Sequence, residues 1–157
     1  MDIKKVNLKI VQKRPYRGPG TWIKFRSSED KTAFKALIGI YAPIMKALGL
    51  RVGDYVKIGY DKKLRIMALI PSTSKDSWAY KISPYSWKDY QDKAQYNTGR
   101  VQITIPKSDL DIPLYGRSFN FFEDEVLIQD KAAYFTLPDP KTIHGAFIPH
   151  KTKRGFE

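Results

Sequence analysis

The stretch IGIYAPIMKALGLRVGDYVKIGYDKKLRIMALIP, residues 38–71, decides the fold class. Isoleucines alternate with other residues before Pro43, which predicts a short strand that ends at this proline. Residues 44–48 have the spacing of one or two helical turns that face a core. Gly49 is the expected C-cap, because glycine enters the left-handed conformation without Cβ strain. The stretch therefore indicates a mostly β chain with one or two short helices.

The remainder of this stretch predicts a β-hairpin. Residues 50–54 contain Gly53-Asp54 and predict a tight turn. Two apolar runs, at 55–58 and 64–70, predict strands on either side of the loop at 59–63. The strand, short helix, turn and hairpin together form one compact supersecondary unit.

A second segment, residues 99–138, repeats this order of elements. Its first strand, at 101–105, ends at Pro106, and further strands are expected at 112–116, 118–122, 126–128 and 133–137. The similarity predicts an internal duplication of the supersecondary unit. The expected organisation is a basic N-terminal arm and strand at 1–27, a first repeat at 28–71, a connector at 72–98, a second repeat at 99–138 and a basic C-terminal tail at 139–157.

The segment that precedes the first repeat alternates polar and apolar residues over 21–27, which predicts a half-buried strand. Ser28 and the two acidic residues after it predict that a short helix starts there and runs to Lys35. In the connector, aromatic residues are expected to pack onto a neighbouring element rather than to stack on bases. They are Trp78, Tyr80 and Tyr85.

Charge is the first indication of function. Lysine and arginine number 28 against 16 acidic residues, so the 157-residue chain has a formal net charge of +12. A strongly basic domain is typical of polyanion binders. Residues 1–27 hold eight basic residues against Asp2 alone, so the charge is concentrated at the N-terminal end. Four of the basic residues flank a Pro/Gly-rich turn and one strand face, where they can contact phosphates. These are Arg14, Arg17, Lys24 and Arg26.

Catalysis has no positive support in the sequence. The chain has no cysteine, which excludes disulfides, a cysteine nucleophile and cysteine-ligated metals. His144 and His150 do not have a zinc spacing, and the acidic run at 123–125 is expected to be a solvated hairpin tip rather than a magnesium site. We predict no enzyme activity, no cofactor and no metal.

The chain has no apolar run of signal-peptide or membrane-span length, so we expect no membrane association and a cytoplasmic, nucleoid-associated location.

Residues 40–58, IYAPIMKALGLRVGDYVKI, resemble the AbrB/MazE/SpoVT family of swapped-hairpin β-barrel DNA-binding proteins. In the first repeat the matching steps are Ala42-Pro43, Leu48-Gly49, Gly53-Asp54 and Ile70-Pro71. In the second they are Gly99-Arg100-Val101, Thr104-Ile105-Pro106-Lys107 and Leu137-Pro138. The resemblance implies a small swapped-hairpin-like barrel that is formed by the two internal repeats. The protein would then be a monomeric pseudo-dimer or a homodimer.

The resemblance also implies a way of binding DNA. Lys46 matches a basic position of the family's short helix, and Arg100 matches the arginine of its Gly-Arg step, whereas Gly39 stands where the first repeat would have that arginine. Lys46 and Arg51 can alternatively stabilise the C-terminal end of the helix dipole. The predicted DNA-binding residues are Arg14, Arg17, Lys24, Arg26, Lys46, Arg51, Arg100 and Lys107.

The function predicted from these observations is non-enzymatic binding of double-stranded DNA through a basic β surface, in the role of a transcriptional regulator. One alternative is a single-stranded nucleic-acid-binding protein, because the β surface is rich in aromatic as well as basic residues. A second alternative is a viral or mobile-element protein that inhibits a host protein target. No residue of the sequence points to such a target.

Overall fold

The computed structural model describes residues 20–85, 97–106 and 112–142. The predicted class is confirmed, because this part of the chain is mostly β and folds into two antiparallel sheets with one α-helix. None of its helices is long and apolar enough to cross a membrane. The division into two repeats stays a prediction.

The first sheet, called sheet 1 below, has five antiparallel strands and brings together distant parts of the chain. In spatial order its strands are β6 (Ser83–Pro84), β7 (Gly99–Pro106), β2 (Ala33–Ile40), β1 (Ile23–Glu29) and β8 (Phe119–Phe121). The longest pairing joins β2 and β7 over eight residues each, from Ala33 opposite Pro106 to Ile40 opposite Gly99. This pairing places the two predicted repeats side by side.

The second sheet, called sheet 2 below, also has five antiparallel strands. In spatial order they are β5 (Tyr80–Lys81), β3 (Tyr55–Asp61), β4 (Ile66–Ser72), β10 (Ala132–Thr136) and β9 (Val126–Gln129). The hairpin of the first segment and the hairpin of the second meet through β4 and β10. Among the strands described, no pairing joins the two sheets into one closed barrel.

The helix predicted for residues 28–35 is wrong, because this segment is a β-hairpin. Strand β1 continues to Glu29 and pairs there with Phe34 of β2. The carboxylate of Asp30 accepts hydrogen bonds from the backbone N–H groups of Thr32 (2.9 Å) and Ala33 (2.8 Å). An aspartate that bonds the backbone two and three residues ahead closes a turn as well as it caps a helix. The local sequence is therefore compatible with both a helix start and a β-turn. The pairing of β2 with β1 and β7 stabilises the strand instead of the helix.

The short helix and its glycine cap are confirmed. Helix α1 (Ala42–Leu48) has Pro43 in its first turn, where a missing N–H costs nothing. Gly49 lies in the left-handed region at φ 67° and donates its N–H to the Lys46 carbonyl (3.2 Å). The following turn is held by Asp54, whose carboxylate accepts the Arg51 N–H at 2.9 Å.

A single hydrophobic core lies between the two sheets. Phe25 of β1 is fully buried, and its ring lies 6.4 Å, centroid to centroid, from that of Phe135 on β10. The Phe121 ring of β8 lies 4.9 Å from the same Phe135 ring. The core therefore connects sheet 1 to sheet 2 through aromatic contacts.

Residues 112–116, predicted as a strand, have no strand structure but are fixed to β1 by a buried serine. Ser27 is 4% exposed, its hydroxyl donates to the Pro113 carbonyl (2.9 Å), and its oxygen accepts the Tyr115 N–H (3.1 Å). Ile112 and Tyr115 are buried in the core. Side-chain hydrogen bonds thus replace a strand ladder in holding this segment.

Candidate functional site

The outer face of sheet 1 is basic and polar, because its strands alternate between core-facing and outward-facing residues. In β1, Ile23 and Phe25 are fully buried, while Lys24 and Arg26 lie on the opposite side. The registers place residues of the other strands on the same outward side. We call this side the basic face; its cations are Lys24, Arg26, Lys35 and Arg100, and none of its outward strand positions is acidic.

One row of residues crosses all five strands of the basic face. Arg100 of β7 and Lys24 of β1 both lie opposite Gly39 of β2. Because neighbouring strands are about 4.8 Å apart, the backbones of these two cations are separated by roughly 10 Å. The row continues to Ser83 on one side and Asn120 on the other. The fold therefore brings together two basic residues that are 76 positions apart in the sequence.

The charges of the basic face are only partly neutralised. Lys35 forms an ion pair with Asp30, with Nζ and Oδ2 3.3 Å apart. Within the ranges that the structure describes, no carboxylate pairs with Lys24, Arg26 or Arg100. Among the described residues, these three side chains therefore keep a positive charge that no carboxylate neutralises.

Asp30 gives the edge of this face a pH-dependent contact that can be measured. Hydrogen bonds from the Thr32 and Ala33 backbone, and then Lys35, lower the pKa of Asp30 from 3.8 to about 2. Because the pKa is lower in the folded chain, the carboxylate stabilises the fold above about pH 4, and this contribution is lost as the pH falls towards 2. We expect an NMR titration of the Asp30 carboxyl carbon to have its midpoint near pH 2.

The variant Asp30→Asn is the control, since its amide oxygen can still accept the two backbone hydrogen bonds but cannot titrate. Relative to this variant, the natural chain should lose stability between pH 4 and pH 2. A midpoint near 3.8, or a stability difference that is independent of pH, would contradict the proposed turn geometry.

Two shallow depressions lie on the basic face and meet at Arg26 and Leu37. The first encloses about 130 Å³, and its remaining lining residues are Lys24, Gly39, Tyr85 and Ser118. The second encloses about 160 Å³, and its further lining residues include Ser28, Lys35, Arg100 and Gln102. Both combine positive charge with hydroxyl or amide groups, a composition that suits phosphates and the polar edges of bases.

Tyr85 packs directly onto Gly39, and both residues line the first depression. A Cβ atom added at Gly39 would lie 2.8 Å from Cε2 of the Tyr85 ring, so only glycine permits this contact. The Tyr41 ring packs against the Tyr85 ring, with the two ring centroids 6.0 Å apart and the two ring planes at 48°. The absence of a side chain at Gly39 therefore lets an aromatic ring lie between two cations of the row.

The structure brings together three of the eight predicted DNA-binding residues, namely Lys24, Arg26 and Arg100. Lys46 is exposed in the last turn of α1, and Arg51 is half-buried in the turn after it, so neither belongs to a strand of the basic face. The last turn is the position at which a lysine stabilises the helix dipole. Arg14, Arg17 and Lys107 lie outside the described residues.

Sequence reasoning missed Lys35 and gave Tyr85 only a packing role. Lys35 was placed in a helix, although the alternation of Phe34, Ala36 and Ile38 around it is a strand signal. Of the three connector rings, Tyr80 packs against the core as expected, but Trp78 is 81% exposed, so its predicted packing is wrong. Nothing in the sequence places Tyr85 over Gly39.

The acidic run at 123–125 has a local structural role. Glu123–Glu125 forms a 3₁₀ turn between β8 and β9, and the Glu125 carboxylate accepts the Phe122 N–H at 3.0 Å. In the part of the chain that the structure describes, no three histidine or acidic side chains are grouped to hold a metal ion. His144 and His150 lie outside that part.

Comparisons with protein-family models, with curated proteins and with solved structures return no match for this chain. The resemblance to the AbrB/MazE/SpoVT family therefore stays a prediction.

Proposed function

We propose that this chain is a non-enzymatic DNA-binding protein that contacts DNA phosphates through the basic face of sheet 1. One observation carries the proposal: four cations share a face whose outward strand positions include no acidic residue. Three of them have no carboxylate partner among the described residues. Lysine and arginine on one continuous surface are the usual means by which a protein neutralises a nucleic-acid backbone.

The geometry of the face supports phosphate contact rather than catalysis. Its cations are spread over three neighbouring strands rather than gathered around one point, which suits an extended polyanion better than a single small molecule. Double-stranded DNA is the ligand that the sequence analysis favours, and a regulatory role with a nucleoid location belongs to the same proposal. Phosphate contact by itself does not discriminate duplex from single strands.

A salt series with matched duplex and single-stranded probes tests this proposal. If the three cations without a carboxylate partner among the described residues each neutralise one phosphate, log K for duplex DNA should fall with log salt at a slope of about −2.7 or steeper, at about 0.9 per contact. Fluorescence anisotropy with labelled probes between 50 and 300 mM salt is a suitable measurement. Failure to bind either probe at 50 mM salt, or binding that ignores salt, would overturn the proposal.

A further inference from the structure

We propose that Tyr85 stacks on an unpaired base, so that the basic face gains affinity for single-stranded DNA that it does not gain for duplex DNA. This inference rests on the proposed function and adds a contact that only a single strand can use. It starts from the position of the Tyr85 ring, which lines a depression between Lys24 and Arg26 and packs onto Gly39.

The chemistry of the first depression matches one nucleotide. The Tyr85 ring and the Leu37 side chain offer apolar surface to a base, while Lys24 and Arg26 offer positive charge to the phosphate attached to it. The Ser118 hydroxyl can donate to or accept from the polar edge of the base. Proteins that bind single strands combine these elements, an aromatic ring for stacking and a basic groove for the backbone.

The second depression extends the same path. It shares Arg26 and Leu37 with the first and adds Arg100 and the amide of Gln102 on the far side of β2. Two adjoining depressions with a common arginine can hold two successive nucleotides, with Arg26 between their phosphates. A single DNA strand bound in both depressions would cross sheet 1 from β8 towards β7.

A duplex cannot use the Tyr85 ring in this way. In double-stranded DNA the faces of the bases are covered by their stacked neighbours, so a protein ring meets only sugar, phosphate or the base edges in a groove. An unpaired base can leave its neighbours and place its face on an aromatic side chain. Stacking therefore adds affinity for single strands alone.

The test measures the binding of labelled 12-nucleotide single-stranded DNA and of the corresponding 12-base-pair duplex to the full chain and its variants. Stacking by one ring typically changes affinity about 5- to 150-fold. We expect Tyr85→Leu to weaken single-strand binding within this range and to leave duplex binding unchanged. The salt slope for the single strand should stay the same, because no phosphate contact is removed. Tyr85→Phe keeps the ring and should bind like the natural chain.

Gly39→Ala provides a second route to the same result, since its Cβ would displace the Tyr85 ring without changing any charge. Like Tyr85→Leu, it should weaken the binding of single-stranded DNA. The melting temperatures of both variants show whether the fold is intact. One outcome separates the two proposals: the natural chain binds duplex DNA with the expected salt slope, but both variants bind single-stranded DNA with the affinity of the natural chain. The stacking inference is then wrong and the proposed function stands. If the natural chain binds neither probe, the proposed function itself fails.

Discussion

Replacing Lys24, Arg26 and Arg100 together by glutamine is expected to weaken DNA binding by at least about tenfold at 50 mM salt. The three side chains lie on one face and have no carboxylate partner within the described ranges, and the proposed function assigns them to phosphate contacts. The salt slope for duplex DNA should shrink by up to about 2.7, at about 0.9 per lost contact. Binding should weaken alike for all sequences, because phosphate contacts carry no sequence information.

A matched control removes three positive charges from the turns of sheet 2. Lys63, Lys75 and Lys131 are exposed and lie in turns that follow β3, β4 and β9. The triple glutamine variant of these lysines has the same net charge as the first variant. If the control lowers affinity and salt slope as much, only net charge matters, and the assignment of the basic face is wrong. Both variants should melt within a few degrees of the natural chain, since such surface changes usually cost little.

Phe25→Ala is expected to have the largest effect on stability, a loss of about 3–5 kcal/mol in the free energy of unfolding. The Phe25 ring is fully buried and contacts Tyr115 edge-on at 6.1 Å as well as Phe135 of the other sheet. Its removal leaves a cavity at the junction of the two sheets. For a chain of this size the melting temperature should fall by roughly 6–20 °C, in one transition for both sheets.

Leu127→Ala is the control for this change, because Leu127 is 56% exposed and its loss creates no cavity. Its effect should stay within about 0.5 kcal/mol. Two separate melting transitions in either variant, or a Phe25→Ala chain as stable as the natural one, would contradict a single core between the sheets.

Strand β1 shows which structural features the local sequence pattern predicts. The alternation over residues 21–27 predicted both the strand and its two faces, because side chains of a strand point to opposite sides with a period of two. Gly49 was predicted as the helix cap for an equally local reason, the cost of a Cβ atom in the left-handed region. Such features depend on a residue and its immediate neighbours.

The hairpin at Asp30 illustrates where local pattern fails. Ser28 and the acids after it suit a helix start, but the same aspartate closes the turn between β1 and β2. The choice depends on β7, which pairs with all eight residues of β2 although it lies more than 50 positions further along the chain. A strand that is paired on both sides gains more than a short, weakly capped helix could.

The sequence by itself determined the mostly β class, the core-facing and outward-facing sides of β1, the helix cap and the excess of positive charge. Only the tertiary structure decided that Arg100 would lie in one row with Lys24, and that Tyr85 would cover Gly39 between them. The physical reason is register: hydrogen bonds between strands that are distant in the chain set which residues become neighbours, and a shift of one residue would turn every outward cation towards the core. No local pattern contains that information.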